Sequence, residues 1–268
     1  MERNVRAGCQ CRSLPGAAAR KCDLSAVTSP RSGHTSAVWL NVDPLLDPRL
    51  QFGSAVLSRW PIDTSECVRL PVAEDAEPIA AGVPWELLCV RTAGLDVFSC
   101  HLAAAPQHAR HRQRQVVAID EHVCGIRGDL DAMVPPGERR EGMPPILCGD
   151  FNAQPESDEI RFLSALTRLD GRTAYYQDAW HAAGDGMGYT FDWHTNPLAA
   201  TLNVPRQRID YVFVGDGFQR RGSAGRILSA SLGFDTPLTG VVASDHAGLV
   251  VDIVWPDRPL DSASSQDR

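Results

Sequence analysis

Ile146-Leu147-Cys148-Gly149-Asp150-Phe151-Asn152 is an apolar run that stops at a carboxylate and, one residue further on, a carboxamide. The stretch reads as a short buried strand ending in a turn. Asp150 and Asn152 flank Phe151, so on an extended or lightly bent backbone the two polar side chains share one face while the phenyl ring turns into the core. Such a pair suits a phosphate and a divalent metal. It equally suits an Asx-turn that caps a strand. The rest of the chain decides between these readings.

Downstream, Ser157 is placed to cap a helix lined by Ile160, Leu163 and Leu166. Residues Asp170 to Asn203 form a long irregular, Gly-rich stretch carrying Tyr175, Tyr176, Trp180, Tyr189, Phe191 and Trp193. These aromatics fit a binding rim or packing beneath a long loop. Three strands follow, at Ile209–Val214, Arg226–Leu232 and Ala247–Trp255, the last after Ser244-Asp245-His246.

Upstream, Ala37–Val42 and the buried run Phe52–Ile62 are strands, and Pro61 limits the second because it cannot donate to a ladder. Cys67–Val72, Trp85–Arg91 and Leu95–His101 are three more, the last two joined as a hairpin through Thr92-Ala93-Gly94. A helix is predicted from about Gln107 to Gly125, with Val116, Ile119, Val123 and Ile126 on one face and Arg110, Arg112 and Arg114 on an opposite, solvated face. The charged, Pro- and Gly-rich residues 127–145 read as a surface loop. Residues 1–35 show no clear period beyond a weak helix at Ala17–Leu24, and 257–268 read as a disordered polar tail.

A chain of 268 residues with a net charge of -7 buries a substantial core and does not rely on bulk positive charge to hold polyanions. A bound cation can still supply local positive potential. No apolar run approaches the roughly 20 residues needed to span a bilayer, so no membrane insertion is expected. Met1–Arg20 lacks a signal-peptide core, which makes a cytoplasmic location the default. The eight cysteines are not a disulfide framework. Cys89, Cys100 and Cys148 sit in apolar runs as small hydrophobes, and Cys9, Cys11 and Cys22 lack the paired spacing of a zinc site.

His101, Asp150, Asn152, Asp210, Asp245 and His246 all flank apolar strands, and an α/β sheet gathers strand ends into one crevice. Carboxylates and an amide oxygen suit Mg²⁺, with Mn²⁺ as the alternative. A metal there polarises a phosphoryl oxygen. A histidine held by a carboxylate supplies an acid or base near neutrality.

Gly53-Ser54-Ala55-Val56-Leu57-Ser58-Arg59, Ser99-Cys100-His101-Leu102, Gly149-Asp150-Phe151-Asn152, Arg208-Ile209-Asp210-Tyr211-Val212 and Ser244-Asp245-His246 occur in the order and approximate spacing of the endonuclease/exonuclease/phosphatase superfamily. Residues 36 to 255 resemble that family, the deoxyribonuclease-I-like fold. The resemblance implies an α/β (α+β) four-layer sandwich of two mostly antiparallel sheets flanked by helices, as one domain at 36–256 behind an atypical segment at 1–35. It implies a metal-dependent phosphoesterase that cleaves a phosphodiester in DNA, RNA or a related small molecule; no obligate protein partner is evident in the sequence. By the same resemblance, Asp150 orients or deprotonates the attacking water and Asn152 binds phosphate and metal. His246, oriented by Asp210, contacts the scissile phosphate, His101 is the second phosphate-side histidine, and Asp245 is a metal ligand.

The chain departs from the pattern at its start. The family's first strand carries an asparagine and then Gln-Glu, whose glutamate is the main metal ligand; here Gln10-Cys11 falls near the Gln-Glu position. This implies either a reading frame that starts upstream, or a member with reduced metal binding that holds a phosphorylated ligand or partner. A sphingomyelinase-like lipid phosphodiesterase ranks lower, because no basic amphipathic helix for membrane docking is evident.

Overall fold

The computed structural model describes the strands at 25–28, 35–38, 41–42 and 51–52 and, with short gaps at 75–84, 129–134, 136–137, 202–203, 217–219 and 236–239, residues 53–255. Gln10-Cys11, the weak helix at Ala17–Leu24 and the tail at 257–268 lie outside the described residues.

The described residues form thirteen strands and three α-helices in chain order: β1 Ser25–Thr28, β2 Thr35–Val38, β3 Asn41–Val42, β4 Gln51–Phe52, β5 Ala55–Ser58, β6 Ile62–Arg69, β7 Glu86–Thr92, β8 Leu95–His101, α1 Ala109–Arg127, β9 Ile146–Asp150, α2 Asp158–Leu163, β10 Tyr176–Asp178, α3 Ala179–Ala183, β11 Asp210–Gly215, β12 Ile227–Gly233 and β13 Gly248–Ile253. The main sheet has six strands in the order β10-β11-β9-β8-β7-β6. It is antiparallel except for β8 and β9, which run parallel because α1 carries the chain back between them. The second layer consists of the antiparallel sheet β1-β2-β5 and the pair β12-β13.

Alternation along the strands divides the sheet into two faces. Leu87, Cys89, Phe98, Cys100, Leu147, Tyr211 and Phe213 turn to one face, where Val116, Ile119 and Val123 of α1 and Ile160, Phe162 and Leu163 of α2 close the largest core. Leu88 and Val90 turn to the other and meet Val56 of β5. Further along that face, Val212 packs with Trp180, Ala230, Leu249 and Val251. The result is an α/β sandwich with mostly antiparallel sheets, as expected. Among the described residues no helix is long and apolar enough to cross a membrane.

The β7–β8 hairpin closes on two residues with positive φ, Ala93 at 48° and Gly94 at 75°. That is the requirement of the turn whose twist matches the strands.

Several expectations need correction. Arg112 is not on a solvated face: it is buried, its Nε 2.9 Å from Glu159 Oε1 and its Nη1 2.9 Å from the carbonyl oxygens of Ala103 and Ala105. The charge pattern of α1 could not reveal a partner that lies 47 residues away. Ile126 is exposed, and Leu166 lies beyond the end of α2 at 68% exposure. Ser157 stands before α2 but its hydroxyl donates to the Gln154 carbonyl and does not cap the helix. Phe52–Ile62 is not one buried strand: β5 spans only Ala55–Ser58, Leu57 is exposed, and Pro61 separates it from β6. Within the segment read as unpatterned, β1 pairs with β2.

The Arg112–Glu159 pair fastens α1 to α2 and to the loop after β8. Glu159→Ala leaves a buried guanidinium without its counter-charge, so it should destabilise the protein by about 3 to 5 kcal/mol. A thermal melt should show a midpoint lower by roughly 10 °C; an unchanged midpoint would mean the pair holds nothing together.

Candidate active site

The register of three strands builds the site. His101 is the Cα partner of Asp150 across the parallel β8–β9 pair, and Asp150 is the partner of Asp210 across the antiparallel β9–β11 pair. Laterally paired residues project from the same face. One row therefore carries His101, Asp150 and Asp210 on the face turned toward the second layer, at the edge where β8 and β9 end and β11 begins. Phe151 takes the opposite direction, fully buried and packed edge-on against Tyr211 and Phe213 at centroid distances of 5.5 and 5.3 Å.

Gly149 makes the row possible. Its φ is +133°, and a Cβ built there would stand 2.0 Å from the Cys100 carbonyl oxygen. Any side chain at this position would push β9 off β8.

After Asp150 the backbone does not stay extended. Asn152 has a φ of 50° and its N–H donates to Asp150 Oδ1 at 2.7 Å. Both readings of the Gly-Asp-Phe-Asn stretch are thus realised, an Asx-type turn and a polar pair at the strand end. Asn152 Nδ2 donates to the Leu102 carbonyl at 3.0 Å, which fixes the side chain with its amide oxygen as the acceptor end.

His246 enters from the loop before β13, and its Nδ1 lies 2.8 Å from Asp210 Oδ2. Donor atoms of Asp150, Asp210 and His246 all lie within 4.8 Å of one another. His101 Nε2 stands 3.6 Å from Asp150 Oδ2, an ion-pair distance too long for a hydrogen bond. Asp245 lies outside the 4.8 Å cluster, yet its charge is felt at both Asp150 and His246.

The sequence reading missed Thr190. Its hydroxyl oxygen accepts the N–H groups of Ile209 and Asp210, each at 3.2 Å, and its carbonyl accepts Ala247 N–H at 2.7 Å. Thr190 thereby ties the start of β11 to the residue after His246, while the Phe191 ring sits 5.1 Å from the His246 ring. The alternation Tyr189-Thr190-Phe191-Asp192-Trp193 held this signal. Asn196 adds a second tie, donating to the Ser244 carbonyl at 2.8 Å.

Burial, then the Asp210 charge, pushes the Asp150 carboxyl up to about 7. For His246, burial favours the neutral ring, but the hydrogen bond to Asp210 and the charges of Asp210, Asp150 and Asp245 outweigh it and raise the pKa. The site thus gathers three carboxylates around one histidine.

A family model, the Endonuclease/Exonuclease/phosphatase family, matches residues 14–246. This chain belongs to that family. Enzymes of the endonuclease/exonuclease/phosphatase family hydrolyse phosphoester bonds and are typically dependent on divalent metals. Among solved structures, the chain resembles D. rerio TDP2 complexed with a single-strand DNA product, at 20% identity over 75% of this chain and 72% of that one, TM-score 0.53. It also resembles the human Nocturnin catalytic domain with bound sulfate, at 19% identity over 84% and 74%, TM-score 0.54. A third likeness is to Staphylococcus aureus beta toxin, at 17% identity over 75% and 67%, TM-score 0.50. At these identities the likeness concerns the fold. Curated proteins give no match.

The donor chemistry of this family member fits a divalent cation. Asp150, Asp210 and His246 bring two carboxylates and an imidazole within 4.8 Å of one another, a set that could hold such an ion, and the Asn152 side chain next to Asp150 offers a further oxygen of the hard-donor type.

Between the ordinary carboxylate value near 4 and about 7, the folded metal-free protein keeps a proton on Asp150 that the unfolded chain has released. Its stability therefore falls as pH rises across that window. Asp150→Asn, neutral throughout, should melt higher than wild type at pH 8 in EDTA and close to it at pH 4.5. Equal melting temperatures at both pH values would contradict the assignment.

Proposed function

We propose that this protein is a divalent-metal-dependent phosphodiesterase in which His101, Asp150, Asn152, Asp210 and His246 act on one phosphate. The observation that carries the reading is the lateral row His101–Asp150–Asp210 joined, through a 2.8 Å hydrogen bond, to His246.

Each side chain has a task that its surroundings support. Asp150 would orient the attacking water or take its proton; its carboxyl, pushed up to about 7 by burial and then by Asp210 in the metal-free protein, would be lowered again by a cation held beside it. The Asn152 side chain, fixed by Leu102, presents its amide oxygen beside that carboxylate. Asp210 engages Nδ1 of His246 and leaves Nε2 for a phosphate oxygen, and the raised pKa favours the cationic ring that stabilises charge developing there. Thr190 fixes the backbone of Asp210 and so sets the direction of the pair. His101 lines the other side of Asp150. Asp150, Asn152 and Asp245 would hold the cation, Mg²⁺ or Mn²⁺, which supplies Lewis-acid polarisation of the phosphoryl group and charge stabilisation at the leaving oxygen.

A single-stranded nucleic acid is the substrate class favoured here. Trp193 is exposed, 45% accessible, on the Thr190–Asn196 loop that borders His246, and stands 4.1 Å from the His194 ring. Aromatic faces beside a phosphate site stack bases without demanding sequence. The D. rerio TDP2 structure, with its single-strand DNA product, supports testing DNA first.

Single-stranded DNA, RNA, a chromogenic phosphodiester and a choline phosphodiester should be assayed with Mg²⁺, with Mn²⁺ and with EDTA. Cleavage of the nucleic acids is expected with metal and is lost in EDTA. His246→Ala and Asp150→Ala should each lower kcat by about 10²-fold or more, and Asp210→Asn should lower kcat with little change in KM. Metal-independent cleavage that survives His246→Ala would overturn the mechanism, and a folded protein that binds single strands without cleaving any of the four would make it a binding member of the family. Trp193→Ala should raise KM for single-stranded DNA while sparing turnover of the chromogenic ester; an equal effect on both would remove the stacking role.

A further inference from the structure

A second cluster of metal-ligating side chains lies away from this site. Glu66 of β6 and Cys89 of β7 are Cα partners in the antiparallel ladder, so both project from the helix-facing side of the sheet. His122 of α1 reaches down to them, with Nε2 3.1 Å from Glu66 Oε1. One oxygen of Glu66, the Cys89 sulfur and one ring nitrogen of His122 all lie within 4.8 Å of one another. Cys89 pairs across the hairpin with Phe98, three residues before His101 on β8. The cluster is therefore on the order of 10 Å along the strands from the phosphate row and on the opposite face of the sheet.

We propose that Glu66, Cys89 and His122 form a metal site for a borderline-soft divalent cation of the zinc class. Sulfur, imidazole nitrogen and one carboxylate oxygen are the donor types that Zn²⁺ takes at four-coordinate sites, and hard Mg²⁺ disfavours a thiolate. The three donors come from three elements whose mutual positions the core already fixes, so a cation there meets a largely formed cage. Cys89 is buried and His122 half-buried, while Glu66 is exposed, which leaves the fourth position open to water on the solvent side.

The cage currently holds together through the His122–Glu66 contact, with a protonated thiol beneath it. Burial, and then the charges of Glu66 and Asp96, keep Cys89 protonated. Binding exchanges the Cys89 proton, released to solvent, for the cation, whose charge reverses the electrostatics that hold the thiol neutral. The bound ion would clamp α1 onto β6, the outer strand of the six-stranded sheet, without touching the residues of the phosphate site.

Co²⁺ is the probe, since its thiolate complexes show a near-ultraviolet sulfur-to-metal charge-transfer band and Zn²⁺ displaces it. The full chain should be titrated with Co²⁺ in a background of excess Mg²⁺, in a variant with Cys9, Cys11 and Cys22 changed to Ser. One equivalent should produce the band, Zn²⁺ should abolish it, and zinc should raise the melting temperature. His122→Ala, a change at a half-buried position outside the core cluster, should weaken Co²⁺ binding at least about 10-fold, and Cys89→Ser should remove the band. Asp150→Asn should leave it intact. No band at one equivalent, or a band that survives both Cys89→Ser and His122→Ala, would overturn the site.

Discussion

The pairing register of β8, β9 and β11 is the constraint on which the rest depends. A shift of one residue in either pairing would put one of its three members on the opposite face from the other two. The shift is opposed from beneath: Phe98, Cys100, Leu147, Tyr211 and Phe213 are all buried on the helix side, and Phe151 is held between two aromatic rings. The apolar face thus sets the polar one. Gly149 completes the arrangement by letting the β9 backbone close on Cys100 just before the carboxylate appears.

The electrostatics follow from that packing. Burial first, and then the charge of Asp210 beside it, leave Asp150 holding its proton to about pH 7. Part of the stability of the metal-free fold is spent on keeping this charge together, a pattern common at reactive sites. Elsewhere, buried carboxylates meet arginines directly, as Glu159 meets Arg112 and Asp178 meets Arg208 at 2.8 Å. The contrast marks the phosphate row: its acidic residues have no arginine among their ion-pair partners in the described residues.

Much of this was legible in the sequence where local pattern and tertiary packing agree. Leu95–His101 was read with the boundaries it has, because its alternation and its two-residue turn act together. The strands carrying Asp150 and Asp210 were equally plain, as apolar runs interrupted by one carboxylate, and the polar residues flanking strands were brought to one edge by the topology. Long-range partners were not legible. Arg112 looks solvated until Glu159 arrives from another helix, and Thr190 looks like one more polar residue among aromatics until its oxygen meets two backbone N–H groups. The positive φ of Asn152 is not legible because the hydrogen bond from its N–H to the carboxylate of Asp150, two residues back, outweighs the preference for extended backbone. The Glu66–Cys89–His122 cluster was equally out of reach, since its members belong to two strands and a helix.

The central claim is that Asp150 stands in a site built for a divalent cation beside a phosphate. Isothermal titration calorimetry of Mn²⁺ at pH 6.5, in two buffers of different ionisation enthalpy, measures both binding and the protons that accompany it. The account predicts binding to wild type with release of a proton, and a loss of that release together with much weaker binding in Asp150→Asn. Binding of equal strength and equal proton count in the two proteins would contradict it.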